Sequence, residues 1–540
     1  MVDPPRRAAV VSVVARLDRL SDRTLATLIG AVLCVVAGWP MFFLRMPPYQ
    51  DLPDHLATVC VLLDPARYPD YVSNGFFKAN SLFVFSTYLM AKVIGVIPAG
   101  RAFALAVIGS TAFTLPHFVL SFTDRRRLLV ASLVMAPMVH NWWTLMGMLN
   151  FALAFPLALL LLMVLARQAA RPTALRGLAI AVLGAVRWYA HGIVILLVAM
   201  LASIEALTRP GGWRAKASSA IALVGPLAPV GVLIATSIVQ LALATSREAT
   251  FGHVTGTYFE DNFSALYDLW AHWSLGISPL SAAGIVTAIA LAVFAVRNAR
   301  ASVPFFSIWA LVALSTIYWA FPNMMPGFGY VDERVLPFLW AWALVRVPPS
   351  VPKWLASLLV ASSVLWAAGT ACELFRAEGD LDDFTAAAPA IPDAQPARLL
   401  TLNFAPRVSS TNTWSLLHAS GMYTVLRGAR PQDLWADSPS MPIRHTSPPS
   451  LVEDPVRVRE LLAAAPTPTA YCAALQTAGL PDYDCEARFH AMWRGVWEAI
   501  GERYDYVIVW GAPASFAETV PRSFAPRFSR GRLTMFAKTP

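Results

Sequence analysis

Long apolar runs punctuated by short arginine clusters fill the first two thirds of this chain, and that alternation narrows the folds open to it more than any other feature. A helix crosses a bilayer with about 20 apolar residues. Candidate spans occupy 24–44, 102–122, 128–146, 148–166, 175–186, 190–207, 217–241, 276–296, 303–321, 335–345 and 354–371, of which 175–186 and 335–345 are short and gain length only if their flanking polar residues lie in the interface. The composition agrees: 57% of residues are hydrophobic, 14% are charged, and the mean hydropathy is +0.54. A soluble domain is nearer 45–50% apolar and about 25% charged. The sequence therefore predicts an α-helical polytopic membrane protein. The first run is too long for the apolar core of a cleavable signal and reads as an uncleaved anchor.

Charge sets the orientation. Basic clusters lie at Arg6/Arg7/Arg16/Arg19/Arg23, Arg125/Arg126/Arg127, Arg167/Arg171/Arg176, Arg209/Arg214/Lys216, Arg297/Arg300 and Arg346/Lys353. All six fall on one side, the cytoplasmic one, only if the apolar run 81–98 does not cross. That run is expected to be a re-entrant or interfacial helix, which leaves about 11 transmembrane helices and a cytoplasmic N-terminus. The net charge of +9 is thus spent on loops rather than on a continuous basic groove, and no nucleic-acid partner is expected.

Beyond 371 charge, proline and turn residues rise. Strand-like runs at 398–402, 504–510 and 533–537 alternate with helical stretches, which predicts a small α/β domain. The expected organisation is a transmembrane domain over 1–371, with a catalytic first outer loop over 45–80, and an extracytoplasmic domain over 372–540. In that compartment a Cys472–Cys485 disulfide is allowed; two free thiols are the alternative.

Polar chemistry gathers on the face opposite the arginines. Directly after the first span comes Met46-Pro-Pro-Tyr-Gln-Asp-Leu-Pro-Asp-His-Leu, with Asp51, Asp54 and His55. Ionisable groups set against a bilayer are costly and mark functional sites. Asp54 also suits a helix N-cap, so Asp51 is the favoured general base; His55 orients a carboxylate, binds phosphate, or is an interfacial residue with no role. Lys78 suits a phosphate as a compact point charge, or snorkels to headgroups. Arg187 and His191 bracket a turn, where an arginine either clamps phosphate bidentately or simply marks a helix end. Asp332-Glu333-Arg334 opens a late span; Arg334 either pairs with its neighbours or neutralises an anionic ligand. Glu260 and Asp261 read as a solvated acidic turn or a sugar or metal contact. No GxxxxGK[ST] occurs, so the chain is not expected to be a P-loop ATPase, and HExxH and GxSxG are absent too.

Several of these stretches resemble bacterial GT-C-fold glycosyltransferases that use polyprenyl-phosphate-linked sugars. The resemblance rests on Tyr49-Gln-Asp-Leu-Pro-Asp-His-Leu-Ala, Phe76-Phe-Lys-Ala-Asn-Ser-Leu-Phe, Leu145-Met-Gly-Met-Leu-Asn-Phe-Ala-Leu, Tyr189-Ala-His-Gly and Asp332-Glu-Arg-Val-Leu-Pro-Phe, and covers roughly residues 20–370. It implies a GT-C-like transmembrane domain, an aspartate (Asp51 or Asp54) as base or metal holder, and Lys78, Arg187, His191, Glu333 and Arg334, with His55, at the donor. The implied partners are a polyprenyl-phosphate sugar, a glycan, lipid or protein acceptor, and membrane lipid, in the bacterial inner membrane. A divalent cation, Mg or Mn, is compatible with the class. Many members carry adjacent acids in the first loop; here the second acid comes three residues later and a histidine follows, which leaves open which acid is catalytic and whether a metal takes part. Two other readings fit a polytopic chain: a lipid or saccharide transporter or flippase, and a non-catalytic envelope assembly protein. The polar groups sit at one face and no internal repeat is evident, unlike the midplane sites and repeated halves of many transporters.

Overall fold

The computed structural model describes residues 19–247, 281–325, 328–393, 396–407, 413–430, 441–446, 467–477, 484–500 and 503–539, with isolated positions between them. Most of the loop predicted over 242–275, with His253, Tyr258 and Glu260, lies outside the described residues, as does most of the Pro/Ser-rich stretch 432–452.

Helix α1 (Asp22–Gly38) starts where Ser21 caps the backbone N–H of Thr24 at 3.2 Å. It is followed by α2 (Leu52–Leu63), strand β1 (Tyr71–Ser73), α3 (Leu82–Ile94) and α4 (Val96–Phe122). Glycines let α1 and α4 touch closely: a Cβ on Gly30 would stand 2.8 Å from the Phe113 ring. Small residues at helix crossings are what apolar helices use in lipid, where burial of oil against oil provides little drive. The run 81–98 forms α3, 13 residues and so roughly 20 Å long, short of the roughly 30 Å hydrocarbon layer. It turns into α4 at Gly95, whose φ of +85° suits glycine.

The bundle continues with α5 (Leu149–Ala170), α6 (Ala174–Ala190), α7 (Gly192–Thr208), α8 (Leu336–Leu344) and α9 (Lys353–Phe384). Among the described residues, four helices are long and apolar enough to cross a membrane: Val96–Phe122, Leu149–Ala170, Trp213–Gln240 and the helix starting at Lys353. The expected single span 128–146 is instead a broken pair, Arg125–Ser132 and Ala136–Leu145, bent by 77°. Pro137 at the start of the second piece is tolerated only in a first helical turn, which explains the break there. α9 does not stop near 371 but runs 32 residues, carrying the chain out of the bundle as one rod.

The C-terminal domain holds a four-stranded sheet of β2 (Leu399–Asn403), β4 (Tyr506–Trp510), β5 (Phe524–Arg530) and β6 (Leu533–Lys538), in the order 2-4-6-5. Strands β2 and β4 are parallel; the other pairs are antiparallel. Val507 and Val509 face a core with Phe489, Trp493 and Trp497 of α11 (Cys485–Ile500), whereas Ile508 and Trp510 join the core of the bundle. A strand buried on both faces reads as a continuous apolar run, as Tyr-Val-Ile-Val-Trp does here. Cys472 and Cys485 are disulfide-bonded. Helix α10 (Gly421–Arg427) and strand β3 (Ile443–His445) bind this domain to the first loop: β3 pairs antiparallel with β1, Tyr71 opposite His445.

Two pairs of the basic segments lie side by side. Arg125 binds Asp22 and the Leu20 carbonyl, and Arg209 reaches the Ala169 carbonyl.

Candidate active site

The first loop is fixed from three sides. Gln50 and Asp51 donate their backbone N–H groups to the carbonyls of Leu145 and Met146 at 3.0 and 3.1 Å. Gly147, at φ +80°, allows this approach, since a Cβ there would lie 2.7 Å from the Asp51 nitrogen. Pro53 occupies the first turn of α2, where its missing N–H costs nothing. The helix therefore begins at Leu52. This corrects the sequence expectation for Asp54: Asp51 stands at the N-cap position without capping through its side chain, and Asp54 lies inside the first turn.

Both carboxylates meet a residue that sequence reasoning missed. His418, from the C-terminal domain, places Nδ1 2.9 Å from Asp54 Oδ2 and Nε2 3.6 Å from Asp51 Oδ1. The Asp54 side chain is 3% exposed and that of Asp51 16%. Trp414 donates its backbone N–H to Gln50 Oε1 at 2.9 Å, and Gln50 Nε2 lies 3.4 Å from Asp51 Oδ1. Gly421 abuts the Pro53 carbonyl and Asp54 Oδ1 with no room for a Cβ. Nothing in the sequence around Thr413-Trp-Ser-Leu-Leu-His-Ala-Ser-Gly marks His418; its one signal is that it belongs to only nine histidines in 540 residues. Burial pushes the Asp51 carboxyl up to about 6, opposed by the charge of His418 and the Gln50 hydrogen bond. Burial pushes His55 down to about 3, so it is neutral near pH 7. Its ring stands edge-on to Phe83, 5.1 Å between centroids.

Phe83 leads to a second group. Its N–H donates to Asn150 Oδ1 at 2.8 Å, Asn150 Nδ2 donates to the Asn80 carbonyl, and Asn80 Oδ1 accepts from Gly192 N–H at 3.2 Å. Beside Gly192, His191 Nε2 accepts from Arg334 Nη1 at 2.8 Å. That bond fixes the tautomer, with the ring proton on Nδ1. The Arg334 guanidinium also lies 5.8 Å from the Phe151 ring. Arg187, fully buried one helical turn earlier, donates Nη2 to the Val194 carbonyl at 2.8 Å. Four buried N–H positions in this cluster lack an acceptor among the described residues: Arg187 Nε and Nη1, His191 Nδ1 and Arg334 Nε. Glu333 accepts from Asn323 at 2.7 Å, tying the late loop together. Lys78 is half-buried in the loop before α3, next to Phe77, whose ring lies 5.4 Å from Trp188.

The structure thus joins Asp51 and Asp54 through His418, and Arg334 to His191, with the layer of His55, Phe83, Asn80 and Asn150 between the two groups. The acids offer two carboxylates to a divalent cation, but His418 stands on both. Among the described residues no three His, Cys, Asp or Glu side chains are arranged to hold an ion. No step is assigned to a metal.

No protein-family model matches the chain, and no curated protein matches its sequence. Solved structures do resemble it. ArnT from Cupriavidus metallidurans, in the apo state, aligns with 13% identity and a TM-score of 0.54 over 95% of this chain and 98% of ArnT. The arabinofuranosyltransferase AftD from Mycobacteria aligns with 14% identity and a TM-score of 0.47, over 96% of this chain and 42% of AftD. The chain is therefore a multi-pass membrane protein with the GT-C fold that its motifs resemble, shared with ArnT along almost its whole length.

Proposed function

We propose that the chain is a membrane glycosyltransferase that moves a sugar from a polyprenyl-phosphate carrier to an acceptor hydroxyl at the outer face of the bacterial inner membrane. The observation that carries this reading is the set of unpaired buried donors on Arg187, His191 and Arg334. Buried N–H groups without acceptors are costly, and Arg187, which among the described residues has no acidic partner, carries the further cost of an uncompensated buried charge, whereas Arg334 has Glu333 beside it. A phosphate group supplies both the acceptor oxygens and the charge. Helix ends beside a bilayer are where a lipid-borne phosphate would arrive.

The chemistry follows from the two groups. The acceptor oxygen attacks the anomeric carbon while Asp51 takes its proton. The bond between that carbon and the phosphate oxygen breaks, and its electron pair leaves on the phosphate. Arg187 and Arg334, with Lys78 nearby, stabilise the negative charge gathering there. Donors held in place before the reaction act at no further cost of reorganisation. The sugar–phosphate bond is already activated, which agrees with the lack of an ATP-binding motif. The C-terminal domain is extracytoplasmic in this reading, on the side of the acids, and the N-terminus is cytoplasmic.

Transfer from a labelled polyprenyl-phosphate sugar by the purified protein in detergent or liposomes tests the proposal. We expect label to pass to a hydroxyl acceptor, and an Asp51→Asn/Asp54→Asn double variant to be inactive. Movement of intact donor across proteoliposomes with no bond broken would instead identify a flippase.

A further inference from the structure

We propose that His418 is a positioning residue of the transfer step: seated on Asp54, it aims and charge-balances Asp51, so that the C-terminal domain is a working part of the catalytic loop. This rests on the glycosyltransferase reading and adds a residue to it.

The geometry distinguishes the two acids. A neutral imidazole has one N–H and can donate to one carboxylate only; the protonated ring has two. At 2.9 Å Asp54 holds the hydrogen bond, and at 3.6 Å Asp51 feels the ring mainly as a charge. Asp54 is the more deeply buried and is pressed by the backbone of Gly421, so it cannot swing away. Asp51 keeps an exposed edge and a loose contact to Gln50, which leaves an oxygen to meet an acceptor. Asp54 is then the fixed counter-charge and Asp51 the acid that gains and loses the proton.

The segment bearing His418 is held firmly enough for this. Asn403, at the end of β2, donates to the Leu416 carbonyl at 2.7 Å, and Gly421 N–H returns to the His418 carbonyl at 3.1 Å. Trp414 is tied to Gln50, the neighbour of Asp51. Among the described residues, the side chains that act on the Asp51 carboxylate are His418 and Gln50. On α2, Asp51 has Asp54 and the neutral His55. Of the elements packed on α2, α3 brings Lys92, engaged with the Tyr88 ring; α4 brings Arg101, bound to the Met41 carbonyl, and His117, bound to Thr27; α10 brings Arg427, paired with Asp393. Residues 145–147 meet Asp51 through backbone alone.

The sign of the pH effect follows. Asp51 works ionised, so transfer falls as pH drops through about 6. Removing a cation at this range raises a carboxyl pKa by about 1–3 units, which moves that acid limb upward. His418→Gln keeps a hydrogen-bond donor for Asp54 but no charge. We expect its transfer rate to be at least threefold below wild type at pH 6.5 and, for the largest shift in that range, to lie within about fourfold of wild type at pH 8.5, with KM for the donor unchanged. His418→Asn is a second variant of the same kind, and His490→Gln, elsewhere in the same domain, should match wild type. A readout free of activity separates this proposal from the functional one. Water-soluble carbodiimide modifies protonated carboxyls, and peptide mass spectrometry of Asp51 should give half-modification near pH 6 in wild type and at least one unit higher in His418→Gln. If folded His418→Gln and His418→Asn both keep the wild-type half-modification pH, His418 is only a structural tie and the inference falls. If that pH moves while no variant, wild type included, transfers sugar, the coupling stands and the glycosyltransferase reading falls.

Discussion

The acid group and the cation group of this molecule are built in opposite ways. The acids come from one short segment, Asp51 with an exposed edge and Asp54 buried, and are matched by His418 in the structure as it stands. The cations come from two distant segments, lie buried, and keep four N–H positions without acceptors among the described residues. A matched group waits for a proton; an unmatched one waits for an anion. The difference assigns the acids to the acceptor side and the cations to the carrier phosphate in the proposed reaction.

That contrast can be broken experimentally. The largest effect is expected at Asp51: Asp51→Asn should lower kcat/KM by about 10²–10⁴, the usual range for a general base, with donor binding intact in a filter or native mass-spectrometry assay. An equal loss of donor affinity would put Asp51 on the phosphate side. Next comes Arg334→Gln, which should cost about 10²–10³ in kcat, as when one preorganised donor is removed from a developing anion. A rate within a fewfold of wild type would make Arg334 a structural partner of His191 only.

Arg187→Met sharpens the comparison further. It should weaken donor affinity by about tenfold, close to 1.4 kcal/mol. It should also raise the melting temperature of the donor-free protein, because an uncompensated buried cation is replaced by apolar volume. A lower melting temperature would show that its bond to the Val194 carbonyl already repays burial. The smallest effect on transfer is expected from Cys472→Ser/Cys485→Ser, whose neighbours Tyr471 and Phe489 pack in the C-terminal domain's own core. Opening a loop of that length should cost the C-terminal domain about 2–4 kcal/mol in chemical unfolding while leaving the transfer rate unchanged.

What the sequence made legible follows from range. The acid segment was readable because its prolines, acids and histidine lie within ten residues after a span, and local backbone rules govern it. The cation motifs were readable one by one, at span ends, but not the contact of Arg334 with His191 across 143 positions. The cap of α2 was misplaced because Pro53 sets the helix start ahead of the better capping residue. His418 was invisible because its role comes from packing of α10 on α2 and carries no spacing signature. The broken helix over 125–145 looked like one span because hydropathy averages over a bend.

One consequence concerns biogenesis. Gln50 is tied to Trp414, 364 positions later in the chain, and β1 waits for β3 to pair with it. The ribosome delivers the acids early, when the translocon has released little more than the first helix. Their partners, Trp414 and His418, are made only after the helices of the bundle. A nascent or truncated polypeptide therefore exposes an unfinished centre, and the order of synthesis itself acts as a safety catch on the chemistry.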